Sequence, residues 1–310
     1  LRQFARSRPR SHDTTTQVHL PLLASAHFAS PNHTPTVVLL GDSMFERLKT
    51  TGQAPVLDPA APWPWPALLD DDDDTLASLG TGSGTGTGAG TGMGLARVPR
   101  VFNAGVGGDT APNIAYRLAG DADADAGLGH GHGRGHGHGS GAGAARVQCR
   151  RGRRHGAEYR CGVGPGGWLL ARLVGVVRVW VVQAGTNHLR RRRGMARRDV
   201  ARLGTLVRCL LLADARCRVL VTGLFYRRDV EAPCVDEANR GLAAAVRAAG
   251  DEFGADRVAW LPAPAGLRPE VHLDDHVHLN LEGYRLWMRE LLPAVVEMLR
   301  AGEEEEEEAA

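Results

Sequence analysis

Four short apolar runs most constrain what this chain can fold into: TVVLL at 36–40, RVWVVQ at 178–183, CRVLVT at 217–222 and RVAWL at 257–261. None alternates apolar with polar residues, so a strand built from any of them is covered on both faces. Val98–Phe102 is a weaker fifth. Between the later runs the spacing changes. Val200, Leu203, Val207 and Leu210, then Val235, Ala238, Leu242 and Val246, recur at helical intervals. A last helical pattern carries Tyr284, Trp287, Leu291 and Val295, with Pro293 expected to kink or break it. Strand–helix alternation with doubly covered strands predicts a parallel sheet between two helical layers. Ligands of such sheets bind beyond the carboxyl ends of the strands.

Other stretches cannot offset their ordering entropy by burial. Residues 1–34 are rich in Ser, Thr, His and Pro and read as a disordered segment. Their early arginines weakly resemble a transit peptide. The blocks at about 54–97 and 119–165 are low-complexity insertions, the first with Asp70–Asp74 and a Gly/Thr alternation, the second with a Gly/His alternation from His130 to His138. Residues 301–310 form an acidic tail. A single domain over 35–300, with about 175 residues of foldable core, is what remains. The second block is either a surface insertion or retained intron sequence, which transcripts spanning it distinguish.

Charge and cysteine content remove several function classes. With 37 basic and 35 acidic residues the net charge is +2, no footprint for a nucleic-acid binder. The apolar stretch from Gly167 to Gly185 contains Arg172 and Arg178, so no membrane span is expected. Five cysteines without CxxC spacing suit a reduced, cytoplasmic protein rather than a disulfide scaffold.

Chemistry-bearing residues cluster where the strands end. The first run leads into Gly41-Asp42-Ser43-Met44, which puts a hydroxyl at the sheet edge and its N–H at a helix start. Asp and Ser there also suit an ordinary N-cap. The second ends in Asn103-Ala104-Gly105-Val106-Gly107-Gly108-Asp109-Thr110, a turn whose backbone N–H groups can approach a ligand, a phosphate included. The third ends in Gly185-Thr186-Asn187-His188, where the Asn amide can donate across the edge or cap a helix. Asp275 precedes His278 by three residues, a spacing that lets the carboxylate orient the imidazole. His272, His276 and His278 with Asp274 and Asp275 are an alternative zinc set, and Arg190–Arg193 a cationic rim that would favour anionic substrates or simply be a solvated cluster.

In this order, GDSM, NAGVGGD, GTNH and DHVH resemble the SGNH, or GDSL, hydrolase superfamily, and GDSMFERLKTTG, AGTNHLR and HLNLEGY resemble its platelet-activating-factor acetylhydrolase-like and fungal branches. The resemblance implies a flavodoxin-like α/β/α sandwich of about five parallel strands and a serine esterase without cofactor. It implies Ser43 as nucleophile, His278 as base with Asp275 as its partner, and an oxyanion hole from Ser43, Gly108 and Asn187. Asp42, Asn103, Asp109 and His188 support these residues. The implied substrate is a small-molecule or lipid-like ester, with short acyl or O-acetyl groups favoured. Two departures stand out: His188 replaces the Asp or Asn common after the amide, and residues 119–165 replace a compact connecting helix. A non-catalytic binding protein of the same fold is the other reading.

Overall fold

A computed structural model describes residues 5–25, 28, 34–48, 51, 100–120 and 168–309. Five strands, β1 (Val37–Gly41), β2 (Val101–Asn103), β3 (Val179–Gln183), β4 (Arg218–Thr222) and β5 (Val258–Leu261), form one all-parallel sheet in the order β2-β1-β3-β4-β5. The order reverses between β1 and β3, which is the switch point where a doubly wound sheet opens a crevice. The four strong runs lie within a residue of their expected places, while the weaker fifth, expected at Val98–Phe102, is a strand only at Val101–Asn103. β2 keeps only three residues and is an edge strand.

Alternate residues of each strand feed two separate cores, as the period of two requires. Val38, Leu40, Trp180 and Val182 face one side, with the helices α4 (Ala111–Ala119), α5 (Leu169–Leu173), α6 (Arg197–Ala213) and α7 (Ala232–Phe253). Val37, Leu39, Val179 and Val181 face the other, with α3 (Ser43–Leu48) and, after the short α8 (Pro269–His272), the long closing helix α9 (Leu281–Ala309). The result is a three-layer α/β/α sandwich. Among the described residues no helix is long and apolar enough to cross a membrane.

Three expectations need correction. Residues 9–24 are helical, with α1 (Pro9–Thr14) and α2 (Leu20–Ala24) joined by a π-helical stretch at Thr15–His19, and they are packed on the domain. Ser11, Thr15 and His19 are buried polar residues, so the segment shows no apolar stripe to read. Next, α9 runs through Pro293 as one helix: Leu291, Leu292, Val295 and Val296 are all buried around it, and that packing outweighs the lost hydrogen bond. Finally, the acidic tail continues α9 to Ala309. Glu305 pairs with Arg218 at 2.6 Å, and Glu306 accepts from both terminal nitrogens of Arg178. Most of the two low-complexity blocks lies outside the described residues.

Candidate active site

The first strand delivers Ser43 to the sheet edge because Gly41 leaves no room for a side chain. A Cβ there would approach the Gln183 carbonyl oxygen to 2.5 Å and the Phe45 ring to 2.8 Å. The turn that follows is held from three sides. The Met44 amide donates to Asp42 Oδ1 (3.1 Å), Asn103 Nδ2 donates to the Phe45 carbonyl (2.6 Å), and the Tyr284 hydroxyl donates to the Met44 carbonyl (2.8 Å). Phe45 stacks on Trp287 of α9, so the helix that follows the histidine also clamps the serine turn.

Across the edge, His278 Nε2 lies 2.9 Å from Ser43 Oγ, and His278 Nδ1 lies 2.7 Å from Asp275 Oδ2. The other carboxylate oxygen of Asp275 accepts the amides of Val277 (2.7 Å) and His278 (2.8 Å). Burial would raise this carboxyl, but those amides and the imidazole hold it well below the usual carboxylate range. With a firm anion at Nδ1, the Nδ1–H tautomer is favoured and Nε2 is left to accept from the serine hydroxyl.

Gly108 has φ +79°, a left-handed conformation that favours glycine, and a Cβ there would overlap the Arg8 guanidinium. Next to it, the Asp109 carbonyl accepts Asn187 Nδ2 at 2.8 Å, so the β2 turn and the Thr186–His188 turn after β3 are tied together at one residue. Asn103 Oδ1 accepts the Gly105 amide (2.9 Å), and the Val106 amide donates to the Gly41 carbonyl (3.1 Å). The nine residues read as nucleophile, base, oxyanion donors and their supports thus lie at the strand ends or in the segments beyond them.

Two of the supporting residues differ from expectation in detail. His188 reaches α6: its Nε2 is 3.6 Å from Asp199 Oδ1, and burial pushes its imidazole down. The Thr186–His188 turn is instead fixed from outside, by Arg227 donating to the Thr186 carbonyl (2.8 Å) and Arg190 to that of Asn187 (3.1 Å). Asp42 is fully buried, its Oδ2 has no hydrogen-bond partner among the described residues, and burial pushes its carboxyl up to about 7.

Arg117 is a residue the sequence did not single out. Wholly buried on α4, its guanidinium meets Asp109 Oδ2 (2.7 Å) and the carbonyls of Ala104 (2.5 Å) and Gly41 (3.2 Å), joining the ends of β1 and β2. Burial raises the Asp109 carboxyl, and the guanidinium works against that rise. The only signal was a lone arginine inside an otherwise apolar helical stretch, IAYRLA.

The alternative zinc set does not converge. His272 Nδ1 accepts the Arg268 amide (2.9 Å), His276 is exposed near Asp229, and His278 is engaged with Ser43 and Asp275. Among the described residues no three His, Cys, Asp or Glu side chains are grouped to hold a metal. Of the cationic rim, Arg192 pairs with Glu231 at 3.1 Å, while Arg190 and Arg193 bond to each other through their backbones.

No family model and no curated protein matches the chain. Solved structures that resemble it include a family two carbohydrate esterase from Clostridium thermocellum, at 11% identity and a TM-score of 0.46, covering 86% of this chain and 65% of that one. The chain thus spans just under two thirds of that protein. A carbohydrate esterase family 3 structure from Talaromyces cellulolyticus follows, at 15% identity and TM-score 0.45, covering 86% of this chain and 99% of that one. A putative platelet activating factor structure from Streptococcus pneumonia matches at 13% identity and TM-score 0.43, with 92% of each chain covered.

Proposed function

We propose that this chain is a serine ester hydrolase of the SGNH type, acting through an acyl-enzyme on Ser43. The observation that carries the reading is the continuous relay from Ser43 Oγ through His278 to Asp275, with contacts of 2.9 and 2.7 Å. In the first half-reaction Ser43 Oγ attacks the ester carbonyl as its proton passes to His278 Nε2, and the imidazolium faces the Asp275 anion. Proton transfer of this kind contributes about 10²–10⁴-fold. The oxygen that gains charge is met by the N–H groups of Ser43 and Gly108 and by the Asn187 amide, whose second proton remains available beside its bond to Asp109. Each such donor is worth about 10²–10³ in turnover. His278 then returns the proton to the departing alcohol. A water deprotonated by the same Nε2 attacks the acyl-serine, the bond to Ser43 Oγ breaks as His278 returns the proton to that oxygen, and the acid leaves.

Ser43 is only 9% exposed, which supports a small acyl group such as acetyl. A fluorophosphonate probe tests the reaction class: labelling of the full chain that disappears in Ser43→Ala is expected. Absence of labelling in folded protein favours the non-catalytic reading instead. A series of p-nitrophenyl esters tests the substrate class, with activity expected to fall as the acyl chain lengthens. A rise toward long chains would point to lipid-like esters.

A further inference from the structure

The oxyanion loop is held from below by Arg117 and from the side by Asn187. Its third neighbour is the helical segment near the amino end of the described chain. Ser11 is completely buried, and its hydroxyl donates to Asp109 Oδ1. Arg8 Nη1 donates to the Gly107 carbonyl (3.1 Å), and its guanidinium occupies the space a side chain at Gly108 would need. The same segment is sewn to α4, the helix that starts where the loop ends. The Arg6 amide donates to the Pro112 carbonyl (2.9 Å), Asn113 Nδ2 donates to the Arg6 carbonyl (3.0 Å), and His12 Nδ1 lies 2.7 Å from the Tyr116 hydroxyl. Farther along the strap, Arg10 pairs with Glu46 of α3 at 2.8 Å, so it also reaches the helix that carries Ser43.

Asp109 is the hub of this arrangement. One carboxylate oxygen takes Arg117, the other takes Ser11, its carbonyl fixes the Asn187 amide, and its own amide follows directly on Gly108. A displacement of Asp109 therefore moves two of the three proposed oxyanion donors together. We infer that residues 6–12 are a strap that positions the oxyanion loop, with Ser11 and Arg8 as positioning residues: neither need touch substrate, and both act through Asp109, Gly107 and Gly108. The inference rests on the esterase reading for its effect on turnover, but not for the contact itself.

The experiment separates the two. Hydrogen exchange at the amides of residues 105–110 is compared between the full chain and its Ser11→Ala and Arg8→Ala variants, with melting temperature recorded for each. Exchange at least about ten-fold faster in Ser11→Ala is expected. Unchanged exchange in both variants overturns the strap, whether or not the protein hydrolyses esters. Steady-state kinetics on a short p-nitrophenyl ester follow. Since small misplacements of catalytic groups cost up to about 10²-fold, kcat should fall by ten-fold or more in Ser11→Ala while KM stays within about two-fold. A merely structural loss would lower the active fraction and the melting temperature without moving the loop in Arg8→Ala, whose half-exposed side chain leaves the fold intact. Arg8→Gln, which keeps a donor for the Gly107 carbonyl, should recover most of the activity lost in Arg8→Ala. Full kcat in all variants of an active enzyme overturns the inference. Loss of Ser43-dependent turnover in the parent chain itself removes the esterase reading and leaves the exchange result to decide the strap.

Discussion

Two carboxyls at the candidate site, Asp42 buried and Asp275 partly exposed, have opposite consequences for pH. Asp275 is stabilised as an anion, so its contribution to stability is present above the ordinary carboxylate range and is lost only as pH falls through its lowered folded value. Asp42 is the reverse case. Its folded value of about 7 exceeds the ordinary 3.8, so the native state holds a proton that the unfolded chain has released. Stability from this group therefore declines as pH rises from about 4 to about 7, by up to about 4 kcal/mol. Urea unfolding at both ends of that window should show a shallower decline for Asp42→Asn than for the parent, and parallel declines would refute the assignment. That Ser43, His278 and Asp275 would meet was legible in the sequence, because Ser43 follows an apolar run and Asp275 and His278 stand three residues apart shortly before the last helix. Arg117 and Ser11 were not. A buried polar residue is explained only by its partners, and Asp109 lies eight and ninety-eight positions from them.

Elements with a continuous apolar run or an apolar helical period were readable, most of them to within a residue or so, and elements with neither were missed. The strands and the helices α6 and α7 belong to the first kind. The helical segment 9–24 belongs to the second, because its fully buried residues are Ser11, Thr15 and His19, while Leu20, Leu22 and Leu23 are only partly buried against the core. The end of α9 is another such case. Six consecutive glutamates read as solvated tail, yet Arg218 on β4 keeps only 4% of its side chain exposed and has Glu305 and the Ala301 carbonyl as acceptors. Glu305 is itself half exposed, so Glu305→Ala should cost no more than about 1 kcal/mol. Truncation after Arg300 removes both acceptors from a buried cation and should cost more, about 3 kcal/mol. Thermal unfolding in the order parent, Glu305→Ala, truncation checks this, and equal melting temperatures would show that the last turns of α9 carry no load.

For the molecule as a whole, the described residues bring the two flanks of residues 121–167 together. Gly120 ends α4 against the indole of Trp168, where a Cβ would overlap the ring, so the two ends of that tract already meet. A linker of about four Gly and Ser residues in its place should leave the melting temperature unchanged or raise it, the shorter closure favouring the fold by about 2 kcal/mol. Ser43-dependent labelling should persist. A collapse of either would give the tract a part in the fold or the site. The parallel order of the sheet has one more consequence. The contact between Ser43 and His278 joins positions 235 residues apart. At about 5–20 residues per second, synthesis exposes the serine roughly 10–50 s before its histidine exists. Until His278 emerges and docks, the nascent chain carries a Ser43 hydroxyl without its imidazole partner, so the proposed ester cleavage must wait for the sheet and the segment before α9 to be made.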